Sequence, residues 1–409
     1  MNIKNNVSIK SLDDFGNGIA YIDNKIAFIP NTLPNEVVDI SITKETKKYY
    51  EAKVINYIKL SDKRIKPICP YYEKCGGCSI LHMSYNDAIN YKCDKVKNIL
   101  NKFASITNNI EIIKNDIPLN YRNKIELKIE NNLWGYYNSK THELISIEEC
   151  RLAKTSINNV IKYKEYIKIS NGSITIRSNY NDEIILSIKT ENKYEIDINS
   201  LKAKIKLVGI VVNDKLIYGE SFFIEKVKDK YFKVNYNSFF QVNLNIATKM
   251  VNILNENSEG NNLLDLYCGV GFLGQSLSNK YKRIYGIEIN ENSILDAIKN
   301  SKINNINNTY YLCGNSSKLI EKIDDNIDTI IIDPPRSGLV KSMFDDIEKI
   351  KAKEIMYISC DPISLSRDLN LLKEQYIINK IYILDMFSNT YHIETICILK
   401  RKYWHADWW

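Results

Sequence analysis

Along the first 58 residues, short runs of alternating apolar and polar positions are broken by turn-forming pairs. Apolar positions gather at 19–22 and 26–29 on either side of Asp23-Asn24, and again at 37–42 and 50–58, with Gly16-Asn17-Gly18 and the Pro30-to-Pro34 stretch as punctuation. Runs of this kind bounded by Gly, Asn, Asp and Pro predict strands, and four or five of them in so short a unit close most economically into a small barrel. Residues 87–103 switch to helical periodicity. From about 111 to 235 strand patterns return, at 124–129, 173–178, 183–190 and 205–212. Beyond Phe239, to about 402, apolar runs at 263–266, 284–287, 309–312, 329–332, 355–359, 380–385 and 393–399 alternate with helical segments. That alternation predicts a doubly wound α/β sheet. Apolar runs such as 207–212 and 330–332 fall far short of the roughly 20 residues a membrane helix needs. The N-terminal MNIKNNVSIKSLDD carries no signal-peptide core, so a soluble cytoplasmic protein is expected.

With 409 residues, 44% of them hydrophobic and 26% charged, the chain is long enough for two or three domains and too apolar for wholesale disorder. Lys and Arg outnumber Asp and Glu by 56 to 49, a net charge of +7 that permits a polyanionic partner without requiring one. Lys44, Lys47, Lys48 and Lys53 interleave with Tyr49 and Tyr50, which suits phosphate contacts and base stacking; a solvated lysine-rich hairpin is the plainer alternative. The nine cysteines, an odd number, argue for reduced thiols, metal ligands or catalysis rather than a disulfide framework. Cys69, Cys75 and Cys78 are bunched and Cys150 lies far downstream, four thiolates that suffice for zinc or an iron–sulfur cluster. Zinc sites usually join two close pairs. A three-plus-one layout with Gly76-Gly77 giving backbone room favours [4Fe–4S]. His82 is expected to be a satisfied core or surface histidine rather than a ligand, and Cys93 suggests no role.

In the second half, segment 263–274 (Leu-Leu-Asp-Leu-Tyr-Cys-Gly-Val-Gly-Phe-Leu-Gly) takes a strand through Gly269, Gly271 and Gly274 into a helix. Glycines let backbone approach a ligand closely at a helix N-terminus, and Glu288, ending the next strand, can accept hydrogen bonds from ribose hydroxyls. The loop departs from the dinucleotide pattern G-x-G-x-x-G and looks like the S-adenosylmethionine loop of class I methyltransferases. Asp333-Pro334-Pro335-Arg336 ends the fourth strand, where open α/β sheets bind ligands. Methyltransferases acting on exocyclic amines commonly carry an aromatic where Arg336 stands; arginine binds phosphate or caps a base instead. Methylating a pyrimidine carbon needs a thiolate to add at carbon 6 and a base to remove the carbon 5 proton. Cys360, after an apolar strand, is the candidate thiol, with Cys268 and Cys313 as competitors; His392 and Glu394 open the last strand as candidate bases.

Together, L-D-L-Y-C-G-V-G-F, I-D-P-P-R-S-G-L, Y-I-S-C-D-P and H-I-E-T resemble the RNA uracil-5-methyltransferases that make 5-methyluridine in transfer or ribosomal RNA. The N-terminal β unit is similar to their TRAM RNA-binding domain. The resemblance implies a Rossmann-like class I methyltransferase domain with a small TRAM/OB-like barrel and a β-rich central domain. It makes Cys360 the nucleophile and Glu394 the general base. Gln241, Tyr267, Gly269, Gly271, Phe272 (where the family often has Asn), Glu288, Asn315 and Asp333 become cofactor contacts, and Asp333, Arg336 and Gln241 substrate contacts. The ribosomal branch carries C-x5-C-G-G-C plus a distal cysteine, which Cys69, Cys75, Cys78 and Cys150 match as cluster ligands. The expectation is a cytoplasmic monomer of three parts, 1–58, 59–235 (with helix 84–104 able to pack on the catalytic part) and 236–409. It would use S-adenosylmethionine and a [4Fe–4S] cluster to act on RNA, 23S ribosomal RNA before transfer RNA. A non-catalytic RNA-binding or assembly factor is the other alternative. Residues 404–409 hold three of the four tryptophans and suggest no role.

Overall fold

Residues 2–138 and 141–402 are described by the structure, a computed structural model; the tryptophan-rich tail lies outside the described residues. In the N-terminal unit the period-two pattern does close a barrel. Ile3–Ser8 pairs with Val37–Glu45, and the same chain continues through Ser11–Leu12 to pair with Gly18–Ile22, completing the sheet order through Tyr49–Lys59 and Lys25–Ile29. Its interior holds Ile9, Ala20, Ala27, Ile29, Val38, Ile40 and Ala52. Tyr50 belongs to that interior too, which corrects the expectation that it stacks bases: it lies on the inward face of its strand, with the Lys25 ammonium 4.8 Å from its ring. Lys44 is likewise paired, with Glu51 at 3.1 Å.

The middle of the chain forms a seven-stranded sheet in the order Leu144–Ser146, Leu133–Tyr137, Lys124–Glu130, Gly172–Ser178, Glu183–Lys189, Lys206–Val212, Lys215–Gly219. Helix Thr155–Lys162 covers it, seating Ile157, Val160 and Ile161 against Leu127, Ile174 and Ile176.

The C-terminal half builds an eight-stranded sheet. Its order is Thr309–Cys313, Arg283–Glu288, Asn262–Leu266, Thr329–Ile332, Glu354–Ser359, Glu394–Arg401, Tyr376–Leu384, Ile110–Ile113. Every neighbouring pair is parallel except the two that Glu394–Arg401 makes. The edge strand Ile110–Ile113 comes from a part of the sequence assigned to the central domain. Hairpin Phe222–Val227 and Lys230–Asn235 also packs Phe223, Phe232 and Val234 into the core of this sheet, beside Met250 and Leu263. Packing therefore groups 85–113 and 222–235 with the C-terminal half.

Helix Tyr85–Ala104 explains that grouping. Ser84 caps it, and of its buried stripe Ala88, Ile89, Cys93, Val96, Ile99, Leu100 and Ala104, residues Cys93, Val96, Leu100 and Ala104 join the core of this sheet while Ala88 packs with Leu33, Ile80 and Met83. Lys92 lies on the same stripe and is 1% exposed. A buried charge is tolerable only when paired and hydrogen-bonded. Lys92 Nζ donates to Asp385 Oδ1 at 2.6 Å and to the Phe387 carbonyl at 3.0 Å. Asp385 Oδ2 accepts from Tyr85 Oη at 2.9 Å and Ser388 Oγ at 2.6 Å. Removing one partner of such a pair strands the other charge, which typically costs about 3–5 kcal/mol. Lys92→Met should therefore lower unfolding stability in urea by that amount. A Lys92→Met/Asp385→Leu double variant should lose less than the sum of the single changes. A loss below about 1 kcal/mol for Lys92→Met would mean the pair holds nothing in place.

Candidate active site

Strand direction decides which residues meet. Asn262–Leu266, Arg283–Glu288, Thr329–Ile332 and Glu354–Ser359 all run the same way, so residues 267–271, Glu288, Asp333–Arg336 and Cys360 gather at one edge. Glu394–Arg401 runs backwards, with Thr395 opposite Ser359. Its first residue, Glu394, thus reaches the edge where Cys360 sits.

Cys360 is half-buried and immediately precedes Asp361, the cap of helix Pro362–Leu372. Asp361 Oδ1 accepts from the Ile363 and Ser364 N–H groups, at 3.1 and 2.8 Å. Loop 333–339 is fixed over this helix by Asp368, whose Oδ2 accepts from Tyr357 Oη at 2.6 Å and the Leu339 N–H at 2.8 Å. Arg367 Nη2 donates to the Ser337 and Leu339 carbonyls at 3.0 and 3.1 Å. Gly338 sits at φ +73°, and a Cβ there would meet Asp368 Oδ2 at 2.5 Å. This clamp holds Arg336 where its guanidinium faces both Cys360 and His392 Nδ1, the latter at 2.8 Å.

Burial pushes the Cys360 thiol up to about 11, with the Glu394 charge adding to the rise and Arg336 opposing it. Burial also raises Asp333 to about 7. Glu394, 6% exposed, is held well above the ordinary carboxylate range by burial and by the Asp333 charge. His392 is pushed down to about 4 by burial and by Arg336, so its ring is neutral and accepts the Arg336 hydrogen bond. Of the competing thiols, Cys268 is buried under the glycine loop, its thiol raised well above the usual range, and Cys313 is exposed at the end of another strand.

The glycine loop has the backbone of a ligand cradle. Tyr267, Gly269 and Gly271 all take left-handed conformations, at φ 63°, 53° and 78°. For a bulky residue such as Tyr267 this is strain, of the kind proteins keep at functional sites. A Cβ on Gly269 would meet open space, which is room for a ligand against the chain. Glu288 accepts from the Gly269 N–H at 3.2 Å and the Asn290 N–H at 2.8 Å. These features fit the adenosine and ribose of a nucleoside cofactor. Gln241 is buried in a loop tied to the central sheet, its carbonyl accepting from Asn123 Nδ2 at 3.0 Å. Asn315 spends its side-chain oxygen on the Ser317 N–H, capping a short helix. Phe272 corrects one expectation: its ring packs against Phe232 and Phe240, 5.4 and 5.2 Å away, and so faces the core rather than a ligand.

Two acids had not been singled out in the sequence. Asp265 accepts from the Gly274 N–H at 2.9 Å, keeps a buried Oδ1 with no partner, and is raised to about 7 by burial. Asp368 is the loop clamp described above. The available signal was an acid inside an otherwise apolar strand or helix face.

Cys69, Cys75, Cys78 and Cys150 line one cavity with Tyr71, Tyr136, Arg122 and Arg151. Four soft sulfur donors with two guanidiniums beside them fit a thiolate-held metal group chemically. Burial raises the Cys75 thiol to about 11 and Cys78 further. Among the described residues, however, no three His, Cys, Asp or Glu side chains are gathered closely enough to hold a metal ion. His82 is buried, its Nδ1 bonded to Tyr72 Oη at 2.5 Å, and Cys93 is part of the apolar core. Among the described residues no helix is long and apolar enough to cross a membrane.

The tRNA (uracil-5-)-methyltransferase family model matches residues 84–321 and 315–402, and the TRAM domain model matches residues 5–55. An uncharacterized RNA methyltransferase of Clostridium tetani is 32% identical, over 96% of this chain and 95% of that protein. Another, from Clostridium acetobutylicum, is 33% identical over 97% of this chain and 98% of that protein. Among solved structures, the Pyrococcus abyssi tRNA (uracil-54, C5)-methyltransferase in complex with S-adenosyl-L-homocysteine superposes with a TM-score of 0.80. It shares 24% identity, covering 96% of this chain and 99% of that one.

Proposed function

Since the chain belongs to the tRNA (uracil-5-)-methyltransferase family and is an S-adenosylmethionine-dependent RNA methyltransferase, we propose that it methylates carbon 5 of a uridine through a covalent bond to Cys360. S-adenosylmethionine supplies an electrophilic methyl group, for which the 267–271 loop, Glu288 and Asp265 are the fitting residues. The observation that carries the reading is the register of Thr395 on Ser359, which sets a carboxylate beside a thiol at the sheet edge.

The Cys360 thiolate adds to carbon 6 of the uracil, and the electron pair displaced onto carbon 5 takes the methyl group. Glu394 then accepts the carbon 5 proton; those electrons re-form the 5,6 double bond and expel the thiolate. Arg336 favours the thiolate by its charge. The recessed carboxylates of Asp333 and Glu394 repel one another, so the pair keeps a proton near neutral pH. Only ionised Glu394 can act as base.

Two RNA substrates are supported by different observations. The cysteine pattern and the barrel resemble the ribosomal branch, which favours 23S RNA and is the reading adopted. The Pyrococcus abyssi neighbour acts on transfer RNA and matches this fold through the barrel, which favours the second. None of the nine described cysteines is in a disulfide. Cys69, Cys75, Cys78 and Cys150 are proposed to hold a [4Fe–4S] cluster that would tie loop 69–78 to the central sheet.

RNA from a strain lacking the gene carries the unmethylated target. Wild-type protein should place 5-methyluridine in its 23S fraction; methylation of the transfer-RNA fraction alone would overturn the ribosomal assignment. The rate should rise with pH between 6 and 9, because Glu394 must lose a proton and Cys360, near 11, ionises progressively. Glu394→Gln should transfer the methyl group but retain the RNA as a methylated adduct on the protein; normal turnover would remove Glu394 from the mechanism.

Protein purified without oxygen should be brown, with iron lost on Cys78→Ser. Stoichiometric zinc without iron, or no metal at all, would overturn the cluster.

A further inference from the structure

The turn 13–17 of the N-terminal barrel ends in a feature that its own fold does not need. Asp13 Oδ1 accepts from the N–H groups of Phe15 and Asn17, at 2.9 and 2.7 Å, and Asp13 Oδ2 accepts from Asn17 Nδ2 at 2.8 Å. The turn is docked on helix Tyr85–Ala104: Tyr91 Oη donates to the Asp13 carbonyl at 2.8 Å, and Lys95 Nζ to the Asp14 carbonyl at 2.6 Å. At its tip Phe15 is 59% exposed, an apolar ring kept in water on an ordered backbone. Its edge meets the Tyr391 ring, with centroids 5.3 Å apart at 77°. Tyr391 in turn lies 4.1 Å from His392, the partner of Arg336, and three residues before Glu394. Lys95 Nζ stands 5.1 Å from the Tyr391 centroid.

We propose that Phe15, braced edge to face on Tyr391, forms a stacking platform for an unpaired RNA base adjacent to the uridine that enters the site, so that the barrel takes part in recognition at the reacting edge. This rests on the activity proposed above. A target base reaches Cys360 only by leaving its stack, which deprives the neighbouring base of a partner; an aromatic ring replaces it without regard to base identity. The surface suits a base and not a phosphate. The Lys95 ammonium is already committed to the Asp14 carbonyl and, at 3.3 Å, to that of Tyr391. The exposed Asp14 on the same turn repels phosphate. What the patch offers is the exposed Phe15 ring, braced against a Tyr391 ring that carries the adjacent cation.

Methyl transfer is measured on the unmethylated RNA of a strain lacking the gene, with Phe15→Ala, Phe15→Leu and Phe15→Trp compared with wild type. Loss of one base–aromatic stack should raise KM for RNA about tenfold in Ala and in Leu. Trp should restore it to within about twofold, and kcat and S-adenosylmethionine binding should stay within about twofold throughout. Wild-type behaviour in Phe15→Leu would show that apolar packing on Tyr391 is all the ring provides, and would overturn the platform. So would a fall in kcat with KM intact, which would mark a structural prop for the Glu394 loop. Irradiation of the protein–RNA complex at short wavelength gives a readout independent of chemistry: a nucleotide should attach to the Phe15 peptide, and its absence in wild type would also overturn the platform. A wild-type reaction without 5-methyluridine rejects the activity and leaves that crosslink to judge the subsite.

Discussion

Strand Glu394–Arg401 runs against both of its neighbours, and for that reason its first residue meets the last residues of the strands that run the other way. A parallel strand in the same place would carry Glu394 to the far edge of the sheet. Reversal requires the chain to leave Tyr376–Leu384 and re-enter the adjacent position through residues 385–393, and helix Tyr85–Ala104 and the segments around 79 and 115–121 hold that connection. Lys92 grips Asp385 from the helix, Asn115 Nδ2 donates to Ser388 Oγ at 2.9 Å, and Tyr121 Oη donates to the Ser388 carbonyl at 3.0 Å. Asn389 Nδ2 donates to the Pro118 carbonyl at 2.8 Å. Ser79, next to Cys78, accepts the Tyr391 N–H at 2.8 Å. A segment that would otherwise be a free loop is thereby set to deliver a carboxylate with little freedom, which is the preorganisation that the role proposed for Glu394 needs.

At this edge Arg336 is the cation that faces the thiol. Burial makes the thiol and both carboxylates reluctant to ionise, and their mutual repulsion strengthens the effect. Arg336 opposes it at Cys360, and the clamp through Asp368 and Arg367 keeps that guanidinium in place.

Much of this was legible in the sequence because it is local. Periodicity located the barrel strands and the alternating catalytic half, and short motifs pointed to Gly269, Glu288, Asp333 and Cys360. What escaped depends on contacts distant along the chain. Nothing near Lys92 announces a partner 293 residues away, and nothing in 110–113 says that it will extend a sheet whose other strands begin at Asn262. Tyr50 and Phe272 differ from their sequence expectation for another reason. Residue type and motif position point each toward a ligand, whereas the alternation of strand faces and the packing of three aromatic rings turn them inward.

The central claim is that the thiol delivered to this edge forms a bond to the target base. RNA containing 5-fluorouridine tests it, because the fluorine at carbon 5 cannot be lost as a proton can, so elimination stalls once the methyl group is attached. Incubated with S-adenosylmethionine, the protein should form a complex that survives denaturing electrophoresis, and peptide mapping should locate the RNA on Cys360. A bond to Cys268 or Cys313, or no stable complex with RNA whose unfluorinated form is methylated, would contradict the account.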